Sequence, residues 1–170
     1  MYKITAAGIL PISVDKKGNI YLLLGKESYK EGYSDSNKWS DFGGKLEKGE
    51  TPMQGAIREF DEETMSLWSD KQKMLEILSK ETIYSYRDRF YVEYVILFEY
   101  TSDIISQFKR VYNHFKDCCN KEGLLEKSEI KWFPLDTIHT IKDLRGNFKT
   151  GLLENINGIR NAVNKNIKSV

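Results

Sequence analysis

The stretch DFGGKLEKGETPMQGAIREFDEETMSLW, residues 41–68, decides the reading of this chain. It places Gly43 and Gly44 side by side, adds Gly49 after an interval, and then crowds Glu59, Asp61, Glu62 and Glu63 together. From Thr51 onward Met53, Ala56, Ile57 and Phe60 recur three or four residues apart, the spacing of one helix face. Thr51 suits the N-cap and Pro52 the first helical position. On such a helix Glu59, Glu62 and Glu63 project into one sector, away from the apolar stripe. Like charges stacked this way destabilise an isolated helix by roughly a few tenths of a kcal/mol per pair. A hard divalent cation among them removes that cost, and oxygen ligands of this kind suit Mg²⁺ or Mn²⁺. Ahead of the helix, the glycines predict tight bends and a backbone carbonyl able to approach a metal without a Cβ in the way. Arg58 is expected to pair with Glu50 across the loop, and a bidentate pair would hold that loop against the helix.

These residues resemble the box of the Nudix hydrolases: Gly, five residues, Glu, seven residues, Arg-Glu, an apolar residue, any residue, Glu-Glu, any residue, Gly and an apolar residue. Gly44, Glu50, Arg58, Glu59, Phe60, Glu62 and Glu63 stand at the matching positions. The resemblance implies an α/β/α sandwich with a mixed β-sheet in a single domain over residues 1–170. It also implies metal-dependent attack of water on a phosphoanhydride within a nucleoside diphosphate linked to another group. Glu59, Glu62 and Glu63 are then the metal ligands, with the Gly43 carbonyl as a further one, and Gly44 and Glu50 shape the loop. Arg58 belongs to the catalytic set, and the water is deprotonated by a box glutamate or by Glu129. Met65 and Ser66 depart from the pattern, standing where the family has Gly and an apolar residue. Methionine there predicts either a strained helix stop, at roughly 1 kcal/mol, or a helix that continues toward Trp68.

The rest of the chain is consistent with one domain of this kind. At 170 residues it is long enough to bury a single core. Residues 4–13 and 19–25 read as strands joined by the turn VDKKG, and residues 26–40 as a long polar loop. Residues 69–80 suit a short helix. A broken β-branched and aromatic run, ETIYSYRDRFYVEYVILFEY, makes two strands. A helix carrying Ile104, Phe108, Val111 and Phe115 follows, then the strand EIKWFPL and a closing helix with Leu152, Ile156, Ile159 and Val163.

Composition excludes some functions. Lys+Arg 26 against Asp+Glu 25 gives a net charge of +1, so no whole-molecule field draws the chain to a membrane or a large polyanion. RNA as a partner is therefore not indicated by charge, although capped RNA stays on the substrate list. No apolar run reaches the roughly 18 to 20 residues of a membrane span, and the expected location is the cytoplasm. Cys118 and Cys119 are neighbours, which suits neither a disulfide framework nor spaced zinc ligands, and predicts buried or idle thiols.

Candidates outside the box are fewer. Glu126 reads as a surface glutamate, and Glu129, at the head of the EIKWFPL strand, as a further carboxylate for the metal or water. Trp39, Tyr29 and Tyr33 are candidate substrate contacts, since aromatic faces stack on bases. The expected substrate is a small nucleotide or dinucleoside polyphosphate. Diphosphoinositol polyphosphates and 5′-capped RNA are alternatives, and a nucleotide sensor without turnover is a rival of another class.

Overall fold

The computed structural model describes residues 3–68, 75–76, 80–118 and 125–167. The helix expected over residues 69–80 falls largely outside these. The first strands are β1 (Ala6–Val14) and β2 (Ile20–Glu27), then the short β3 (Trp39–Ser40) and β4 (Phe42–Lys45). Helix α1 (Pro52–Glu63) follows, then β5 (Thr82–Arg87), β6 (Tyr91–Leu97) and α2 (Asp103–Cys118). The strand β7 (Lys127–Pro134), a 3₁₀ turn at Leu135–Thr140 and α3 (Gly146–Ile167) complete the order.

β1 lies at the centre of a mixed sheet, antiparallel to β2 and β4 and parallel to β6. Its alternation divides the core. Ala7 and Ile9 pack with Phe42, Ile57, Phe60 and Phe108 toward α1 and α2, while Leu10 and Ile12 pack with Phe148, Leu152, Ile159 and Val163 toward α3. A strand buried on both faces reads as a near-continuous apolar run, as AAGILPISV does. Helices on both faces of a mixed sheet make the α/β/α sandwich.

The start of α1 matches the sequence expectation. The Thr51 hydroxyl accepts from the Gln54 amide, the Gln54 side chain accepts from the Thr51 amide, and Pro52 occupies the first turn. Its end resolves the two readings of Met65 in favour of the strained stop. Helical geometry ceases at Glu63, the Thr64 hydroxyl donates to the Phe60 carbonyl at 2.6 Å, and Met65 and Ser66 both take left-handed φ, 54° and 56°. Such a conformation costs a non-glycine residue about 1–2 kcal/mol. Burying a methionine side chain returns about 1.5–3 kcal/mol, and Met65 is only 6% exposed. Packing thus offsets at Met65 what glycine would have avoided. Beyond it Trp68 packs tilted against Phe60 and edge-on to Phe98, as the next step of the core rather than of the helix.

Gly43 and Gly44 do not bend the chain. They lie in β4, paired with Gly8 and Ala7 of β1, and the turn falls at Gly49, with φ 93°. Their lack of a Cβ serves close approach instead, to side chains of the site below.

Candidate active site

Arg58 organises the box. Its Nε and Nη2 donate to the two Glu50 oxygens at 2.9 and 3.2 Å, the bidentate pair expected from sequence. Nη2 also donates to the Lys45 carbonyl at 2.8 Å, and Glu50 accepts from the Glu47 amide at 2.7 Å. The loop is therefore tied to α1 at both ends of one guanidinium. Nη1 donates to Glu59 Oε1 at 2.9 Å and Glu62 Oε2 at 3.1 Å. Hydrogen bonding to Glu50 first, and then to Glu59, holds the Arg58 guanidinium above its ordinary pKa. Three box carboxylates, Glu50, Glu59 and Glu62, thus converge on one centre of positive charge.

Gly44 explains why glycine stands there. A Cβ on it would come within 2.5 Å of Glu59 Oε1, so any side chain would push that carboxylate out of place. Glu59 is largely enclosed; burial raises its carboxyl pKa, and Arg58 pulls it back only in part.

Glu63 faces a different set of partners. Its Oε2 accepts from the Gly43 amide at 2.9 Å, and its Oε1 lies 3.3 Å from Lys127 Nζ. Lys127 is 1% exposed and also contacts Glu27 Oε1 at 2.5 Å and donates to Ser40 Oγ at 2.8 Å. Burial pushes the Glu63 carboxyl well above its usual range, against the pull of Lys127. The single acidic sector expected from helical spacing is therefore split, with Glu59 and Glu62 on Arg58 and Glu63 on Lys127. Among the described residues no three His, Cys, Asp or Glu side chains already form a metal cage. The donor chemistry nevertheless fits a hard cation. Glu59 and Glu62 are brought to one positive charge beside the bare Cα of Gly44, and Mg²⁺ and Mn²⁺ take carboxylate and carbonyl oxygens. Glu59 and Glu62 are the residues that would hold it; Glu63, which with the Gly43 carbonyl the resemblance also implies, is engaged by Lys127 and the Gly43 amide.

Outside the box the structure changes the candidate carboxylate. In β7 Lys127 lies opposite Glu27 and Glu129 lies opposite Lys26, because the register shifts between Lys26 and Glu27. Adjacent residues of β2 face opposite sides of the sheet. Glu129 therefore faces away from Lys127 and Glu63, and its side chain lies 4.0 Å from Lys26. Glu126 is the carboxylate that comes near the box instead. It lies within electrostatic reach of Glu59, Glu62 and Glu63. Burial, then Glu27, raises its carboxyl pKa, with Lys127 opposing. A β-bulge leaves no mark in a sequence, so the resemblance that singled out Glu129 carried no sign of the face it takes.

The aromatic candidates are also redistributed. Trp39 is a core residue, edge-on to Phe133 at 4.9 Å and 9% exposed, and does not present a face to a base. Tyr29 is 74% exposed. Tyr33, at the rim of the loop, lies near Arg145 and Glu27. A cleft of about 340 Å³ opens instead beside Gly43, Gly44 and Lys45, with Tyr86, Phe90 and Phe148 among its walls. Of the thiols, Cys118 is exposed rather than buried, and Cys119 lies outside the described residues.

A mixed sheet between helices, with an arginine-clamped carboxylate helix beside a glycine strand, defines a hydrolase of phosphorus-containing acid anhydrides. The chain belongs to the Nudix family: the family model described as NUDIX domain matches residues 3–152. Solved structures share the fold. A mutT/nudix family protein from Listeria innocua aligns with a TM-score of 0.55 at 15% identity, over 97% of this chain and 96% of that one. An Ap4A hydrolase from C. elegans, in a binary complex, aligns with a TM-score of 0.53 at 20% identity, over 94% and 97%. A bifunctional NMN adenylyltransferase/ADP ribose pyrophosphatase from Francisella tularensis, complexed with AMP and a Mn ion, aligns with a TM-score of 0.50 at 19% identity, over 91% of this chain and 42% of that one. A comparison with curated proteins gave no match. No helix among the described residues is long and apolar enough to cross a membrane.

The split between Glu126 and Glu129 yields a direct expectation. Glu126→Gln should lower phosphoanhydride hydrolysis by about tenfold or more, the usual cost of disturbing groups around a metal site. Glu129→Gln should leave the rate within about twofold, because an exposed ion pair with Lys26 contributes little. Equal losses in the two variants, measured by phosphate release, would return Glu129 to the site.

Proposed function

We propose that the chain hydrolyses a phosphoanhydride bond in a nucleoside diphosphate linked to another group, with Mg²⁺ or Mn²⁺ as cofactor. The observation that carries this reading is the convergence of Glu59 and Glu62 on one positive charge beside Gly44, next to a cleft with aromatic walls. When bound, a divalent ion supplies charge neutralisation of the pyrophosphate and lowers the pKa of water. The chain's own residues do the rest. Arg58 holds the loop of Glu47 and Glu50 against α1, so that Glu59 and Glu62 keep their positions as the substrate arrives. Gly44 leaves Glu59 in place where any side chain would displace it. Glu59 and Glu126, enclosed enough to be more basic than ordinary carboxylates, are the candidates to take the proton from the attacking water. Lys127 holds Glu63 against β4.

The test is hydrolysis of a panel of nucleoside triphosphates, dinucleoside polyphosphates, diphosphoinositols and capped RNA at two ionic strengths. Turnover should vanish in excess chelator and return with Mg²⁺ or Mn²⁺. A small nucleotide held at the metal should show a shallow salt dependence, whereas capped RNA held by many phosphate contacts would show a steep one. Full activity in excess chelator would overturn the metal-dependent reading.

A further inference from the structure

The cleft beside the glycine strand contains a carboxyl group that the hydrolytic site does not use. Glu93 of β6 is 1% exposed, lines the cleft, and its Oε1 is the buried side-chain atom among the described residues with no hydrogen-bond partner. Its other side is accounted for. Burial, and then the neighbouring Asp41, push the Glu93 carboxyl well above its usual range, and Glu93 shares a hydrogen bond with Asp41, which also accepts from the Tyr91 hydroxyl. With that contact made on one side of the carboxyl, Oε1 is left as an acceptor without a donor.

The fold clears space for the groups beside it, Tyr91 and Asp41. Gly8 and Gly43 are paired across β1 and β4, and a Cβ on either would collide with the Tyr91 hydroxyl. One on Gly8 would also come within 2.5 Å of Asp41 Oδ2. Buried polar atoms without partners are rare in folded proteins, and Glu93 lines a cleft shared with Phe90, half exposed, Tyr86 and Phe148.

We propose that this cleft is a base-recognition subsite, in which Glu93 Oε1 accepts a hydrogen bond from an N–H edge of a heteroaromatic base that stacks on Phe90. The proposal rests on the phosphoanhydride reading above and names which end of the substrate enters here. Lys45 and Arg145 also line the cleft, but the acceptor left open there belongs to an acidic pair, Asp41 and Glu93, which disfavours a phosphate beside it; the diphosphate lies on the carboxylate-helix side of Gly43 and Gly44, where metal ions can neutralise it. The uncharged end enters the cleft. Aromatic walls favour a planar ring over a sugar or an inositol, and the orphan acceptor requires that the ring bring a donor.

The test is calorimetric titration of the full chain, without metal, by AMP, GMP, CMP, UMP and ribose 5-phosphate. At least one nucleotide should bind about tenfold or more tightly than ribose 5-phosphate. Glu93→Leu should lose about tenfold to a hundredfold of that nucleotide affinity. Glu93→Gln should stay within about threefold, because the amide keeps the carbonyl acceptor and donates to Asp41. If Glu93→Leu does not fold, Phe90→Ala, at an exposed position, decides: it should weaken the nucleotide about fivefold or more and leave ribose 5-phosphate unchanged. Equal binding of ribose 5-phosphate and all four nucleotides, or nucleotide binding unaltered in Glu93→Leu, overturns the subsite. Hydrolysis of the substrate panel is measured in parallel. Turnover without base preference would defeat this inference alone, and base-selective binding without any turnover would defeat the hydrolytic reading alone.

Discussion

Lys127→Met is expected to destabilise the fold by about 3 kcal/mol, the low end of what breaking a buried ion pair costs. Lys127 is enclosed between Glu27 at 2.5 Å and Glu63 at 3.3 Å. Burial alone would depress its ammonium pKa, but Glu63 and Glu27 more than reverse this and hold it above the ordinary lysine value. Removing the charge leaves two enclosed carboxyls facing each other. The loss falls at the low end because Glu63, already pushed up by burial, can take a proton. Urea denaturation at neutral pH measures the effect. A second substitution, Glu27→Gln added to Lys127→Met, should recover part of the loss, since it removes one of the stranded charges. Unchanged stability in Lys127→Met would show that the ammonium is not what holds Glu27 and Glu63 together.

The second large effect separates chemistry from scaffold. Glu62→Gln is expected to lower hydrolysis by at least about a hundredfold, since even groups that only support metal ligands cost up to that much. Its stability should change by less than about 0.5 kcal/mol, because Glu62 is 45% exposed and its bond to Arg58 is one of several that Arg58 makes. Arg58→Ala should lower both together. It frees the Glu50 loop and removes the Arg58 charge from the enclosed carboxylates of Glu50 and Glu59, at about 3 kcal/mol or more. Thermal denaturation beside initial rates distinguishes the two patterns. A Glu62→Gln variant with full activity would remove Glu62 from the metal face, and an Arg58→Ala variant of normal stability would remove Arg58 from its clamping role. Glu63→Gln is not equivalent to Glu62→Gln. Glu63 is buried against Lys127 and the Gly43 amide, so stability should fall there even though like-charge repulsion on the helix is relieved.

The helix α1 and its clamp were legible because their causes are local. The N-cap at Thr51, the proline after it, the apolar spacing from Met53 to Phe60 and the reach of Arg58 to Glu50 all depend on residues near one another in sequence. The same holds for the strands either side of Arg87–Arg89 and for α2 and α3, whose patterns match one face of a core. Legibility stops where distant segments meet. Helical spacing placed Glu63 with Glu59 and Glu62, yet Lys127, far along the chain, draws it to β4. The resemblance favoured Glu129, yet the shift at Lys26/Glu27 turns it to the other face and leaves Glu126 by the box. Glu93 sits in YVEYVIL, where it reads as a polar interruption of a strand. Only the pairing of β1 with β6 and β4 sets it opposite Gly8 and beside Asp41.

By itself, then, the sequence determined the family, the sandwich, the carboxylate helix and the arginine clamp. Periodicity, capping and short-range pairing operate within a few residues, and they need no partner from elsewhere. The tertiary structure alone decided which glutamates share a charge, which aromatic rings line the cleft and which buried carboxyl is left with an open acceptor. Those outcomes depend on register and burial, and both arise only when strands far apart in the chain are brought side by side and water is removed from between them.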